Sequence, residues 1–127
     1  MNSSAPATSS YTSFFKISAI LIAALAVVQA VLGGITIGGN SVREVHGIIG
    51  MASIVVAIVA AVAAFLWARQ TKSMGTFYHA LAIVVLAVAQ VALGEMKLET
   101  LHITLGVFYL VAALALGTIA LRKTRTA

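Results

Sequence analysis

The sequence predicts an all-α integral membrane protein, a four-helix bundle made of two repeated helical hairpins with both termini cytoplasmic. Three observations carry that expectation. Hydrophobic residues make up 61% of the 127-residue chain and charged residues only 9%, against about 45–50% and 25% in soluble domains. Four apolar runs, near 14–37, 42–68, 76–94 and 100–121, are each long enough to cross a hydrocarbon core of about 30 Å at about 1.5 Å per residue. A Gln-x-x-x-Gly followed by a His-x-x-x-Gly occurs twice, at Gln29–Gly33 with His46–Gly50 and at Gln90–Gly94 with His102–Gly106.

Residues 1–13 are rich in Ser, Thr and Ala, carry the only proline and read as a disordered tail. The run at 14–37 is longer than the core of a signal peptide, and its repeat partner lies inside the chain, so it is read as a retained helix. Helices are the expected form for each run, because an open-ended segment in lipid must satisfy its own backbone polar groups. The loop between the third and fourth runs, and the Gly38-Gly39-Asn40 loop between the first two, close the two hairpins. Residues 122–127 form a basic tail.

Charge sets the expected orientation. Lys16, Arg69, Lys72, Arg122, Lys123 and Arg125 fall on one side, while Arg43 and Lys97 fall on the other with Glu44, Glu95 and Glu99. Cytoplasmic loops carry the excess of Lys and Arg, which places the termini in the cytoplasm and the chain in the cell membrane as a multi-pass protein. The +5 net charge is therefore a topology signal, and nucleic acid is not an expected partner. Trp67, Phe77 and Tyr78 flank the basic loop, as an interfacial aromatic belt would.

The repeat aligns residue by residue. A shift of 61 carries Ala19, Ile22, Leu25, Ala26, Val27, Gln29 and Gly33 onto Ala80, Ile83, Leu86, Ala87, Val88, Gln90 and Gly94. A shift of 56 carries His46, Gly50 and Ala57 onto His102, Gly106 and Ala113. Matches among Ala, Val and Leu are expected by chance in such text, so the Gln, His and Gly matches carry the weight. Both hairpins run in the same sense, which relates them by an axis along the membrane normal.

Ionisable residues inside a span are costly and point to function. His46 and His102 are each other's candidate partners, at similar depth near the extracytoplasmic end. Below them run stripes of small residues, Gly50, Ser53, Ala57 and Ala64 on one helix and Gly106, Ala113 and Gly117 on the other. Such a stripe serves close helix packing or clears room for a flat cofactor. Capping of the helix ends is the ordinary reading of a single such His; two related by a repeat favour ligation of a cofactor in the bundle core. Two His make a poor zinc site, whereas imidazole is the usual axial ligand of haem. The absence of cysteine excludes thiolate sites and covalent c-type attachment. Gln29 and Gln90 are read as cofactor-edge or His-orienting residues, or as interhelical hydrogen bonds. His79 has Ser18 as its repeat counterpart and reads as interfacial. Met51, Met74 and Met96 show no ligand pattern.

At Gln90-Val-Ala-Leu-Gly94 with His102-Ile-Thr-Leu-Gly106, and at Gln29-Ala-Val-Leu-Gly33, the chain resembles heme A synthase over nearly all of 14–121. That family has eight transmembrane helices in two pseudo-symmetric halves, each half with one His on its second and one on its fourth helix. The resemblance implies a single-half, compact version with His46 and His102 as ligands of haem b iron, and Gly50, Gly106, Gln29 and Gln90 around the cofactor. It further implies an oxidoreductase acting on a haem methyl group, with haem o and haem a as substrate and product and Glu44 as the catalytic carboxylate. The family's Glu stands three residues before the His, however, and is often followed by Arg after the His. Here Arg43-Glu44-Val45-His46-Gly47 places it two before, a rotation of about 100° around a helix. Electron transfer needs only the two ligands. The rival expectation is a non-catalytic small subunit of a respiratory complex that binds lipid or quinone. Membrane lipid, haem, respiratory-complex subunits or a second copy of the chain are the expected partners.

Overall fold

The structure, a computed structural model, describes residues 10–39 and 41–125. It is all-helical: α1 (Ser10–Ile37), α2 (Arg43–Thr71), α3 (Met74–Glu95) and α4 (Glu99–Lys123). All four are long and apolar enough to cross a membrane. Residues 10–13, expected in the tail, are the first turn of α1, while residues 1–9 lie outside the described residues. The extension has a packing reason. Thr12 is buried, and three residues on Phe15 stacks on Trp67 of α2 with ring centroids 4.8 Å apart. At the other end of the chain, Arg122 and Lys123 belong to α4, so the basic tail begins inside the helix.

The helices pack as a square: α1 with α2, α2 with α3, α3 with α4 and α4 with α1. The diagonal pairs, α1 with α3 and α2 with α4, have no Cα atoms within 8 Å among the described residues. The interior is built from small side chains. Ala19, Ala57, Ala63, Ala64, Ala68 and Ala113 are fully buried, whereas Ile17, Val55, Val85 and Val111 lie about 60% exposed on the outside. Without a hydrophobic drive between helices in lipid, association depends on close backbone approach, and small interfacial residues permit it. At Gly117 an added Cβ would lie 3.2 Å from the Ala23 Cβ, so α4 rests directly on α1 there.

The connections are tight. After α2, Lys72 adopts a left-handed conformation (φ 55°) and the Ser73 N–H donates to the Ala68 carbonyl at 3.0 Å. After α3, Lys97 does the same (φ 56°), with the Leu98 N–H donating to Leu93. This pattern satisfies carbonyls left open at a helix end.

The core divides into two halves along its length. Toward the α2–α3 turn it is built on Phe15, Ile22, Ile83, Leu116 and Trp67, with the buried hydroxyls of Thr12, Ser18 and Thr76 among them. Toward the α1–α2 and α3–α4 connections it carries the imidazoles of His46 and His102 and the amides of Gln29 and Gln90, and the candidate site lies there.

Candidate functional site: a histidine pair across the bundle

His46 and His102 are each the fourth residue of their helix. Their N–H groups donate to Val42 and Leu98 carbonyls, both at 2.9 Å, so the two helices begin in the same way. Because α2 and α4 are diagonal, the side chains meet across the bundle. The imidazole centroids are 5.9 Å apart with ring planes at 79°. Two imidazoles ligating one ion from opposite sides, at about 2 Å per metal–nitrogen bond, place their ring centres about 6 Å apart.

Each ring lies against the glycine that ends the preceding Gln-x-x-x-Gly. A Cβ built on Gly33 would sit 3.6 Å from His46 Cε1, and one on Gly94 would sit 3.5 Å from His102 Cε1 and Nδ1. One turn deeper, the glutamine amides occupy the space beside the other glycines. A Cβ on Gly50 would lie 2.9 Å from Gln29 Nε2, and one on Gly106 would lie 3.2 Å from Gln90 Oε1. The expected clearance at the top of the small-residue stripes is thus filled by Gln29 and Gln90. Lower down, Gly117 serves helix packing.

The two imidazoles are held differently. His102 Nδ1 lies 2.9 Å from the Gln90 carbonyl oxygen. A carbonyl only accepts, so Nδ1 carries the proton, which in the neutral imidazole leaves the lone pair on Nε2. Metal-ligating histidines are commonly oriented by such a bond. In the first hairpin the direction is reversed: Gln29 Nε2 donates to the His46 carbonyl at 3.1 Å, and His46 Nδ1 is buried without a partner. Gln29 Oε1 and Gln90 Nε2 are also buried and unpartnered. Three such atoms around one imidazole pair are unusual, since buried polar groups are nearly always bonded and an orphan costs about 1–3 kcal/mol.

Tyr109 belongs to the same polar half and is absent from the sequence expectations. It is 5% exposed, with its side chain directed toward that of Ser53. Its position seven residues after His102 matches Ser53 after His46, which is the signal that could have found it. Ser53 itself donates back to the Ile49 carbonyl at 2.8 Å.

Glu44 is exposed in the first turn of α2. It forms no hydrogen bond or ion pair to either imidazole among the described residues. Its position next to the unsatisfied N–H groups of α2 accounts for a carboxylate there. His79, expected at the interface, instead turns inward and donates through Nε2 to the Ala112 carbonyl of α4 at 2.8 Å.

Among the described residues no cluster of three or more His, Cys, Asp or Glu side chains forms, so a cage of protein ligands is not what the pair belongs to. A pair of opposed imidazoles suits a metal whose other positions are filled by a planar ligand that comes with it. The spacing and the Nδ1-protonated His102 suit such a group, while the amides of Gln29 and Gln90, which fill the room beside Gly50 and Gly106, would have to swing aside to admit it. Comparison of the chain with known protein families, with curated proteins and with solved structures gives no match.

Proposed function

We propose that the chain is a haem-binding membrane protein of the kind represented by one half of heme A synthase. In this reading His46 and His102 would hold the iron of a b-type haem near the extracytoplasmic side of the cell membrane. The observation that carries it is the 5.9 Å separation of the two imidazoles across the diagonal of the bundle. The pairing of His46 with Gly33 and His102 with Gly94, and of each glutamine with its own His+4 glycine, supports an origin in two repeated hairpins. The distribution of Lys and Arg supports cytoplasmic termini.

The haem would supply a one-electron iron couple, and the chain's own residues supply the rest. His102 presents Nε2 in a fixed orientation because its Nδ1–H is committed to Gln90. Once displaced from Gly50 and Gly106, Gln29 Oε1 would offer an acceptor and Gln90 Nε2 a donor to the group that takes their place. The alanine-packed half toward the α2–α3 turn closes the bundle below the pair.

Electron transfer is the activity this arrangement supports best. Oxidation of a haem methyl group, with haem o and haem a as substrate and product, would need a positioned acid or base, and the exposed Glu44 is not directed at the pair. The test is a visible spectrum of the purified protein. A Soret band with sharp α and β bands on dithionite reduction is expected, and both should disappear in the His46→Ala/His102→Ala double variant. No haem absorption in protein purified from haem-replete cells would leave the reading of a non-catalytic subunit binding lipid or quinone. A full spectrum in the double variant would remove the ligand assignment.

A further inference from the structure

A second feature lies at the opposite end of the molecule and is independent of the histidine pair. Between α2 and α3, on the outer surface, runs a groove of about 380 Å³ lined only by apolar side chains. Ile58, Val62 and Phe65 form one wall and Phe77, Leu81 and Val84 the other. The Phe65 and Phe77 rings meet edge to face, 5.2 Å apart at 61°, toward the α2–α3 turn. Arg69 continues the α2 wall one turn beyond Phe65, and its guanidinium carbon lies 5.7 Å from the Phe65 ring centre. A single face of α2 therefore reads apolar from Ile58 to Phe65 and then ends in a fixed cation, with Lys72 three residues further on.

Charge decides what fits, and the reach of the groove matches it. From Ile58 to Arg69 the helix rises about 16 Å, at about 1.5 Å per residue. That is one half of a hydrocarbon core of about 30 Å, the depth reached by one acyl chain of one leaflet. The exposed apolar face of α2 continues beyond the groove through Val55, Met51 and Ile48, so it is the cation at the end of the groove, not the length of the face, that selects a lipid over a partner helix. A neutral headgroup or a quinone would leave the guanidinium without an anion.

We propose that this groove is a binding site for an anionic phospholipid, with one acyl chain between α2 and α3 and its phosphate at Arg69. Arg suits the phosphate because its planar fork donates two parallel hydrogen bonds, and stacking on Phe65 holds the fork at the mouth of the groove.

The experiment is native mass spectrometry of the full chain released from micelles doped with equal amounts of phosphatidylglycerol and phosphatidylcholine. The expected result is at least tenfold more retained phosphatidylglycerol, with Arg69→Gln bringing the two lipids level and Arg69→Lys keeping part of the preference. Val62→Trp, which fills the groove, should reduce retention of phosphatidylglycerol while Arg125→Gln does not. Equal retention in the unaltered chain overturns the proposal, as does a preference that survives Arg69→Gln. Two further results would do the same: displacement of the lipid by inorganic phosphate alone, or a dimer lost on Val62→Trp.

Discussion

His102 is tied through its Nδ1–H to the backbone carbonyl of Gln90, 2.9 Å away on the neighbouring helix, and His46 has no equivalent tie. The bond comes from main chain, so no side-chain substitution at position 90 removes the acceptor. It makes the pair unequal although the two residues occupy matching places in their helices.

Single-ligand variants should reveal that inequality. Orienting bonds of this type are worth about 10–100-fold in metal affinity. On the haem reading, His46→Ala, which retains the tied imidazole, should bind haem about 10–100-fold more tightly than His102→Ala. Haem titration of the two purified apoproteins measures the ratio. Equal affinities would mean that the Gln90 carbonyl does not orient the ligand.

Glycine substitutions should separate by position. Gly50→Ala places a Cβ 2.9 Å from Gln29 Nε2 and must displace the amide from the His46 carbonyl. A loss of about 1–2 kcal/mol is expected, the range for an interhelical hydrogen bond in a membrane. Gly33→Ala meets His46 at 3.6 Å, an ordinary contact, and should cost less than half as much. Unfolding in mixed micelles gives both values, and a larger loss at Gly33 would contradict the geometry.

The two glutamines should behave oppositely in the ligand-free protein. Gln29→Leu removes a bonded amide and should destabilise by about 1 kcal/mol, whereas Gln90→Leu removes an unpartnered buried nitrogen and should be neutral or stabilising. Both should weaken haem binding on the proposed reading. The same micelle unfolding assay, with and without haem, tests the pair.

Glu44→Gln should change neither the haem spectrum nor stability by more than about 0.5 kcal/mol, as for other exposed positions. A lost or shifted Soret band would return Glu44 to the site.

Much of the fold was legible because lipid imposes a length and a composition on each spanning segment, and four runs met both. The histidines were legible because polar residues are sparse in such text and these two recur with the same glycine spacing. What escaped depended on the azimuth of one helix against another. Thr12 looks like tail until its burial is known, and the bond from His79 to the Ala112 carbonyl of another helix leaves no mark in the sequence. The amides filling the space at Gly50 and Gly106 belong to helices other than those that carry the glycines. The tie between His102 and Gln90 uses a backbone oxygen, which no residue letter reports.

The alanine interior has a consequence for change at any position. In a water-soluble protein the outside accepts substitution and the inside tolerates exchange among large apolar residues. Here the inside resists added atoms, since growth at the fully buried Ala57 or Ala113 would press on the helices packed around it and disturb the separation of the imidazoles. The outside, at Ile17, Val55 or Val111, accepts nearly any apolar side chain and rejects charge. Drift in such a chain therefore runs fastest through its greasiest residues, and the most constrained letters are its smallest.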